Sequence, residues 1–166
     1  MRISTRGRYG LRAMLELAHG FGQAPMLMET IAQRQRLSRK HVHTLLTALR
    51  SAGLVRSVRG RGGGFVLSRP PKSIRLSEVL IALEGPLSLV ECVGDPTACE
   101  RADTCVARRV WQALSRAVTT MLSSVTLQEM TALGDVHEVI GSQEVKRKGV
   151  KCKARRGSGS SLHEAC

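Results

Sequence analysis

Aromatic residues are almost absent from this chain: Tyr9, Phe21, Phe65 and Trp111 are the only four among 166 residues. A core must therefore be assembled from Leu, Val, Ile, Met and Ala. The stacking platform of single-strand nucleic-acid binders is missing as well. No apolar run approaches the ~18–20 residues a membrane-spanning helix needs. Residues 1–20 show neither the continuous apolar stretch nor the small-residue cleavage site of a secretory signal. The expected compartment is the cytoplasm, where five cysteines stay reduced. Acids are scarce in one place above all: Glu16 and Glu29 are the only two in residues 1–75.

What is present is positive charge. Lys and Arg number 26 against 13 acids, a formal net charge of +13. Fifteen of those 26 lie in residues 1–75, whereas residues 76–133 carry four Arg against seven acids. The two halves are expected to do different jobs. Merely solvated Lys and Arg would be interspersed with acids; here they point to a polyanionic partner, nucleic acid before membrane. The 42% apolar content suits one globular domain with an appendage.

The apolar pattern predicts a mainly α protein with one small β-hairpin. Ser4 and Thr5 can cap a helix starting near Arg6, with Leu11, Met14, Leu15 and Ala18 at helical spacing and Gly20 and Gly22 ending it. Leu27, Ile31 and Ala32 mark a short second helix, up to about Gln35. Ser38 then caps a third, whose Val42, Leu45, Leu46 and Leu49 share one face, with Gly53 as the stop. Strands are predicted at Leu54–Val58 and Gly64–Ser68, joined by the turn Arg59-Gly60-Arg61-Gly62-Gly63. A helix capped near Ser77 covers Leu76 to Glu84, and Cys92 to Cys105 reads as loop. A longer helix spans about Val106 to Ser124, with Trp111, Leu114, Val118, Met121, Leu122 and Val125 near a heptad seam. Leu127–Leu133 is a last short helix, and the basic Gly/Ser-rich remainder reads as a disordered tail.

Two short helices, a turn and a third helix with one apolar face form a helix-turn-helix pattern, and the hairpin behind it makes a winged helix. Opposite the apolar face lie Lys40, Thr44, Thr47 and Ser51, flanked by His41 and His43. The N-terminal end of such a helix enters the major groove, which selects Ser38, Lys40, His41, His43 and Thr44 as DNA-contacting residues. Arg59 and Arg61 sit at the wing tip, suited to a minor groove. The glycines between them precede a strand rather than a helix, which argues against a phosphate-binding nucleotide loop.

Cys92, Cys99 and Cys105 follow C-x6-C-x5-C. Three thiols in 14 residues suit an iron–sulfur cluster, zinc or a reversible dithiol switch; the paired spacing of structural zinc is absent. Cys152 and Cys166 lie in the tail and are read as bystanders. No acid/base constellation or Cys–His pair suggests an enzyme.

With these residues assembled, a resemblance emerges. Met1–Leu17, Ile31–Leu37, Leu45–Leu67, with its SVRGRGGGF wing, Leu76–Pro86, ending LEGP, the three cysteines and Trp111 resemble the Rrf2 family of winged-helix transcription regulators, of the IscR/NsrR type. The resemblance covers roughly residues 1–133. It implies a homodimer held by the long helix, a pseudo-palindromic double-stranded DNA operator, and a cluster, 2Fe–2S or 4Fe–4S, on Cys92, Cys99 and Cys105. It places a histidine ligand three residues after the third cysteine, where this chain has Arg108, and an acidic ligand near the start of the first helix, where Arg8 stands. The fourth ligand is therefore open.

The combined expectation is a dimeric repressor gated by cluster or thiol chemistry. Residues 1–75 read DNA, 76–133 carry the cysteines and the dimer helix, and 134–166 form the tail. The alternatives are a cluster-free regulator and a nonspecific basic nucleic-acid binder.

Overall fold

The computed structural model describes residues 3–132. Its first helix, α1, runs Thr5–His19. The Ser4 hydroxyl oxygen accepts from the N–H groups of Arg6 and Gly7 at 3.0 and 3.3 Å, satisfying donors that a helix start leaves unpaired. A second acceptor comes from far away. Glu84 Oε1 accepts from the Ser4 hydroxyl at 2.6 Å and from the Gly7 N–H at 2.8 Å.

Helix α2 (Met28–Gln35) ends where Arg36 turns left-handed, at φ 53°. The chain then closes with Leu37 N–H donating to Ala32 O at 2.9 Å. This tight turn delivers Ser38, whose hydroxyl accepts from His41 N–H at 3.2 Å and starts α3 (Arg39–Ser51). Val42, Leu45, Leu46 and Leu49 are at most 1% exposed. Burial of such side chains supplies ~1.5–3 kcal/mol each. The helix closes at Ala52, one residue before the predicted stop; Gly53 (φ 70°) makes the turn into the hairpin.

Strands β1 (Val55–Val58) and β2 (Gly64–Leu67) pair antiparallel, with Val55 opposite Leu67 and Val58 opposite Gly64. Leu54 and Ser68 lie outside the strands, yet Ser68 N–H still donates to Leu54 O at 3.0 Å. The hairpin also has a third edge. Met26 and Phe65 exchange both backbone hydrogen bonds, at 3.0 and 2.8 Å, tying the wing to the segment between α1 and α2.

Helix α4 (Leu76–Glu84) is capped differently from the expectation. Arg75 is the cap residue, and its N–H donates to Glu78 Oε2 at 2.7 Å. Burial works against ionisation of Glu78, but the Arg75 N–H and the Arg69 guanidinium outweigh it and hold this carboxyl below the usual range. Ser77 is instead buried, its hydroxyl accepting from Ser123 at 2.9 Å. The segment from Cys92 to Cys105 is not plain loop. It contains most of α5 (Glu91–Gly94) and a 3-10 turn at Pro96–Ala98. Both are too short to leave a periodic signature in sequence.

Helices α6 (Val106–Ser124) and α7 (Leu127–Ala132) complete the described chain. Leu127 N–H donates to Ile74 O at 3.0 Å, and Leu76 N–H to Val125 O at 2.9 Å, so α7 folds back beside the start of α4. One core takes in Met14, Ile31, Leu46, Val79 and Leu127. The result is a mainly α winged helix with one two-stranded sheet. Leu133 and the predicted tail, 134–166, with Cys152 and Cys166, lie outside the described residues.

Candidate nucleic-acid interface and cysteine segment

The outward face of α3 is built as its period requires. With the apolar stripe buried, Lys40, His43 and Thr44 are exposed, and Ser38 is exposed at the helix start. Thr44 donates its hydroxyl to Lys40 O at 3.1 Å, which leaves its oxygen lone pairs free to accept. Ser38 accepts within its cap, which leaves its hydroxyl proton free to donate. His41 departs from the expectation. It is half-buried and meets the Tyr9 ring edge-on, 5.8 Å between centroids. Its Nε2 is buried without a hydrogen-bond partner among the described residues.

Tyr9 in turn organises charge that sequence reading passed over. The Arg8 and Arg12 guanidiniums lie 5.9 and 5.7 Å from its ring centroid, within cation–π range. Their i, i+4 spacing around an aromatic was the available signal. At the wing, Arg59 and Arg61 are exposed, and Gly60 (φ 104°) and Gly62 (φ 81°) adopt the left-handed backbone that the turn needs. A Cβ on Gly63 would collide with backbone carbonyls of Val58 and Gly60, so only glycine closes this tip. Among the described residues, ion pairs engage only Arg34, Arg39 and Arg69. Lys40, Arg59, Arg61, Arg8 and Arg12 keep their charge outward.

The cysteines occupy three different local settings. Cys92 is in α5, Cys99 ends the 3-10 turn, and Cys105 is the N-cap of α6. All three are half-buried free thiols. Thiolates are the right donors for an iron–sulfur cluster, but the three stand in separate local elements. Among the described residues no three Cys, His, Asp or Glu side chains converge on a common point. Arg108, where the resemblance places a histidine, does something else. Its Nε donates to Cys92 O at 2.8 Å and its Nη1 to Ala102 O at 3.1 Å. Asp95 also braces the segment. Its carboxylate accepts from the Thr97 hydroxyl and N–H, which hold its pKa below the usual range.

A guanidinium thus clasps the segment on both sides of Cys99. Hydrogen bonds to a charged group are worth about 1.5–3 kcal/mol. Arg108→Ala is expected to speed alkylation of Cys92 and hydrogen exchange across residues 92–105, with α3 unaffected. Unchanged rates would show that Arg108 does not hold the segment.

Residues 3–133 match the family model Rrf2, described as iron-dependent transcriptional regulator. The HTH-type transcriptional regulator CymR of Bacillus subtilis is 39% identical over 135 residues, which cover 81% of this chain and 93% of that protein. IscR of Photorhabdus laumondii is 35% identical over 144 residues, 87% of each chain. Among solved structures, CymR, the global cysteine regulator of B. subtilis, superposes with a TM-score of 0.67 at 40% identity, covering 81% of this chain and 99% of that one. T. potens IscR gives 0.64 at 36% identity, covering 80% and 87%. These relatives are transcriptional regulators and not enzymes. The chain, with its winged helix and outward basic face, belongs to the Rrf2 family of DNA-binding transcriptional regulators.

Proposed function

We propose that the protein is a cytoplasmic homodimeric repressor. It reads a pseudo-palindromic operator through Ser38, Lys40, His43 and Thr44 in the major groove and Arg59 and Arg61 in the minor groove. His41 contributes by holding Tyr9, and with it Arg8 and Arg12, against the start of α3. Residues 1–75 act as the reading head and 76–133 as the sensing and dimerising part, with 134–166 adding basic charge. The observation that carries the reading is the α3–hairpin surface, basic and exposed with no ion-paired cation among Lys40, Arg59 and Arg61.

Arg59→Ala is expected to weaken specific operator binding about tenfold, ~1.4 kcal/mol. The loss should be largest on A·T-rich flanks, where a narrow groove concentrates negative potential. Fluorescence anisotropy at fixed salt measures it. Equal affinities of variant and parent would remove the wing from the interface. A specificity ratio near one between operator and random duplex would favour the nonspecific binder.

Cys92, Cys99 and Cys105 are proposed as the sensing groups, and thiol redox chemistry is the first reading. It is supported by three thiols that are free and half-buried, and by a related CymR of Staphylococcus aureus solved in an oxidised form. The second reading is an iron–sulfur cluster, favoured by the iron-dependent family description and by the IscR relatives. Iron and acid-labile sulfide counts after anaerobic purification separate the two. Matched iron and sulfide would establish the cluster; a colourless protein with reversible Cys–Cys oxidation would establish the switch.

A further inference from the structure

The side of α6 that faces its own chain is polar, and part of it is unfilled. A cleft of about 490 Å3 lies between this helix and the segment that follows α4. That volume falls within the ~300–1,000 Å3 of small-molecule sites. One wall presents Gln112, Ser115, Arg116 and Thr120, and the other presents Leu87 and Val93. No Asp or Glu lines it. Ser115 is 6% exposed, and its oxygen accepts from Leu89 N–H at 3.1 Å, so its hydroxyl proton remains available. Arg116 enters no ion pair among the described residues.

We propose that this cleft binds a small organic anion, a carboxylate on a short aliphatic stem. Arg116 supplies the charge complement, and Ser115, Gln112 and Thr120 supply hydrogen bonds to oxygen. Leu87 and Val93 receive the stem. An unpaired guanidinium beside uncharged donors and no acid selects an anion over a cation or a neutral sugar. The apolar wall disfavours a fully hydrated inorganic ion. The cleft also lies on the opposite side of α6 from the exposed Val110, Leu114 and Met121, so it stays open when that apolar face is covered.

The position gives the ligand a consequence. Val93 directly follows Cys92, whose carbonyl Arg108 already ties to α6. A bound anion would bridge α5 and α6 and hold Cys92 less accessible.

Succinate, glutarate and glutamate, titrated separately into the reduced full-length protein by calorimetry, test this without DNA and independently of the operator reading. At least one is expected to saturate at millimolar concentration and to slow alkylation of Cys92 at least threefold. Arg116→Ala should weaken that binding about tenfold, ~1.4 kcal/mol, whereas Arg109→Ala, on the same helix outside the cleft, should leave it unchanged. Circular dichroism confirms that both variants fold. The proposal is overturned if none of the three saturates, if Arg109→Ala weakens binding equally, or if binding leaves Cys92 alkylation unchanged.

Discussion

Replacing Leu114 and Met121 together by glutamate should leave the fold intact, yield a monomer, and lower operator affinity at least about a hundredfold, the scale that bivalent engagement contributes. The argument begins with an inversion. Helix α6 turns polar groups, Ser115, Ser123 and Arg108, toward its own chain. It turns Val106, Val110, Trp111, Leu114 and Met121 outward, all between 41% and 74% exposed. A solvated helix does the reverse. A contiguous exposed stripe of this kind suits an interface, and in the proposed homodimer a second copy presents the same stripe, as a two-fold contact requires. Because both side chains are exposed in the single chain, glutamate there removes partner burial with little cost to the core. Light scattering gives the mass, and anisotropy gives the affinity. A variant that remains dimeric would show that the two copies meet elsewhere.

Gly10→Val should destabilise the protein by about 1–3 kcal/mol, the usual range for overpacking a filled core. In urea this appears as a lower midpoint with an unchanged slope. Even a Cβ at Gly10 would run into the Leu83 side chain, and one at Gly7 into the Glu84 carboxylate. Leu83 is 3% exposed, so making room for a larger residue means repacking it within the core. These two glycines let α1 and α4 approach closely enough for Glu84 to reach the first turn of α1. An unchanged midpoint would mean that α4 yields freely and that this close approach is not structurally required.

That close approach was invisible in sequence, although most of the helices were not. Ser4, Ser38 and the α3 stripe follow local rules, since a cap and a 3.6-residue period depend on neighbours a few positions away. Hence α1, α3, α4 and α6 fall where the spacing puts them. Gly7 and Gly10 are different, because their partners lie more than seventy residues away. For the same reason Ser77, read as a cap, is buried against Ser123. The partial burial of His41 could not be foreseen either, since only the packing of α1 on α3 brings Tyr9 to it. Of the candidate site, the outward residues Lys40, His43, Thr44, Arg59 and Arg61 were legible from periodicity and glycine content. The Arg108 clasp was not, because nothing local tells a guanidinium which carbonyls it will meet.

The hydrogen-bonded pair of Met26 and Phe65 has a consequence for how such a regulator could change its target. The wing leans on the connection between α1 and α2 as well as on α3, whose Leu49 carbonyl accepts from Leu54 N–H at 3.0 Å. Wing inclination therefore depends in part on a stretch of chain that base preference does not use. A substitution, insertion or deletion in residues 20–25, which need touch no nucleotide, would re-aim Arg59 and Arg61 while leaving the α3 face as it is. Operator choice can then drift along a second coordinate besides the side chains that meet bases, one written in the length and stiffness of a distant connection.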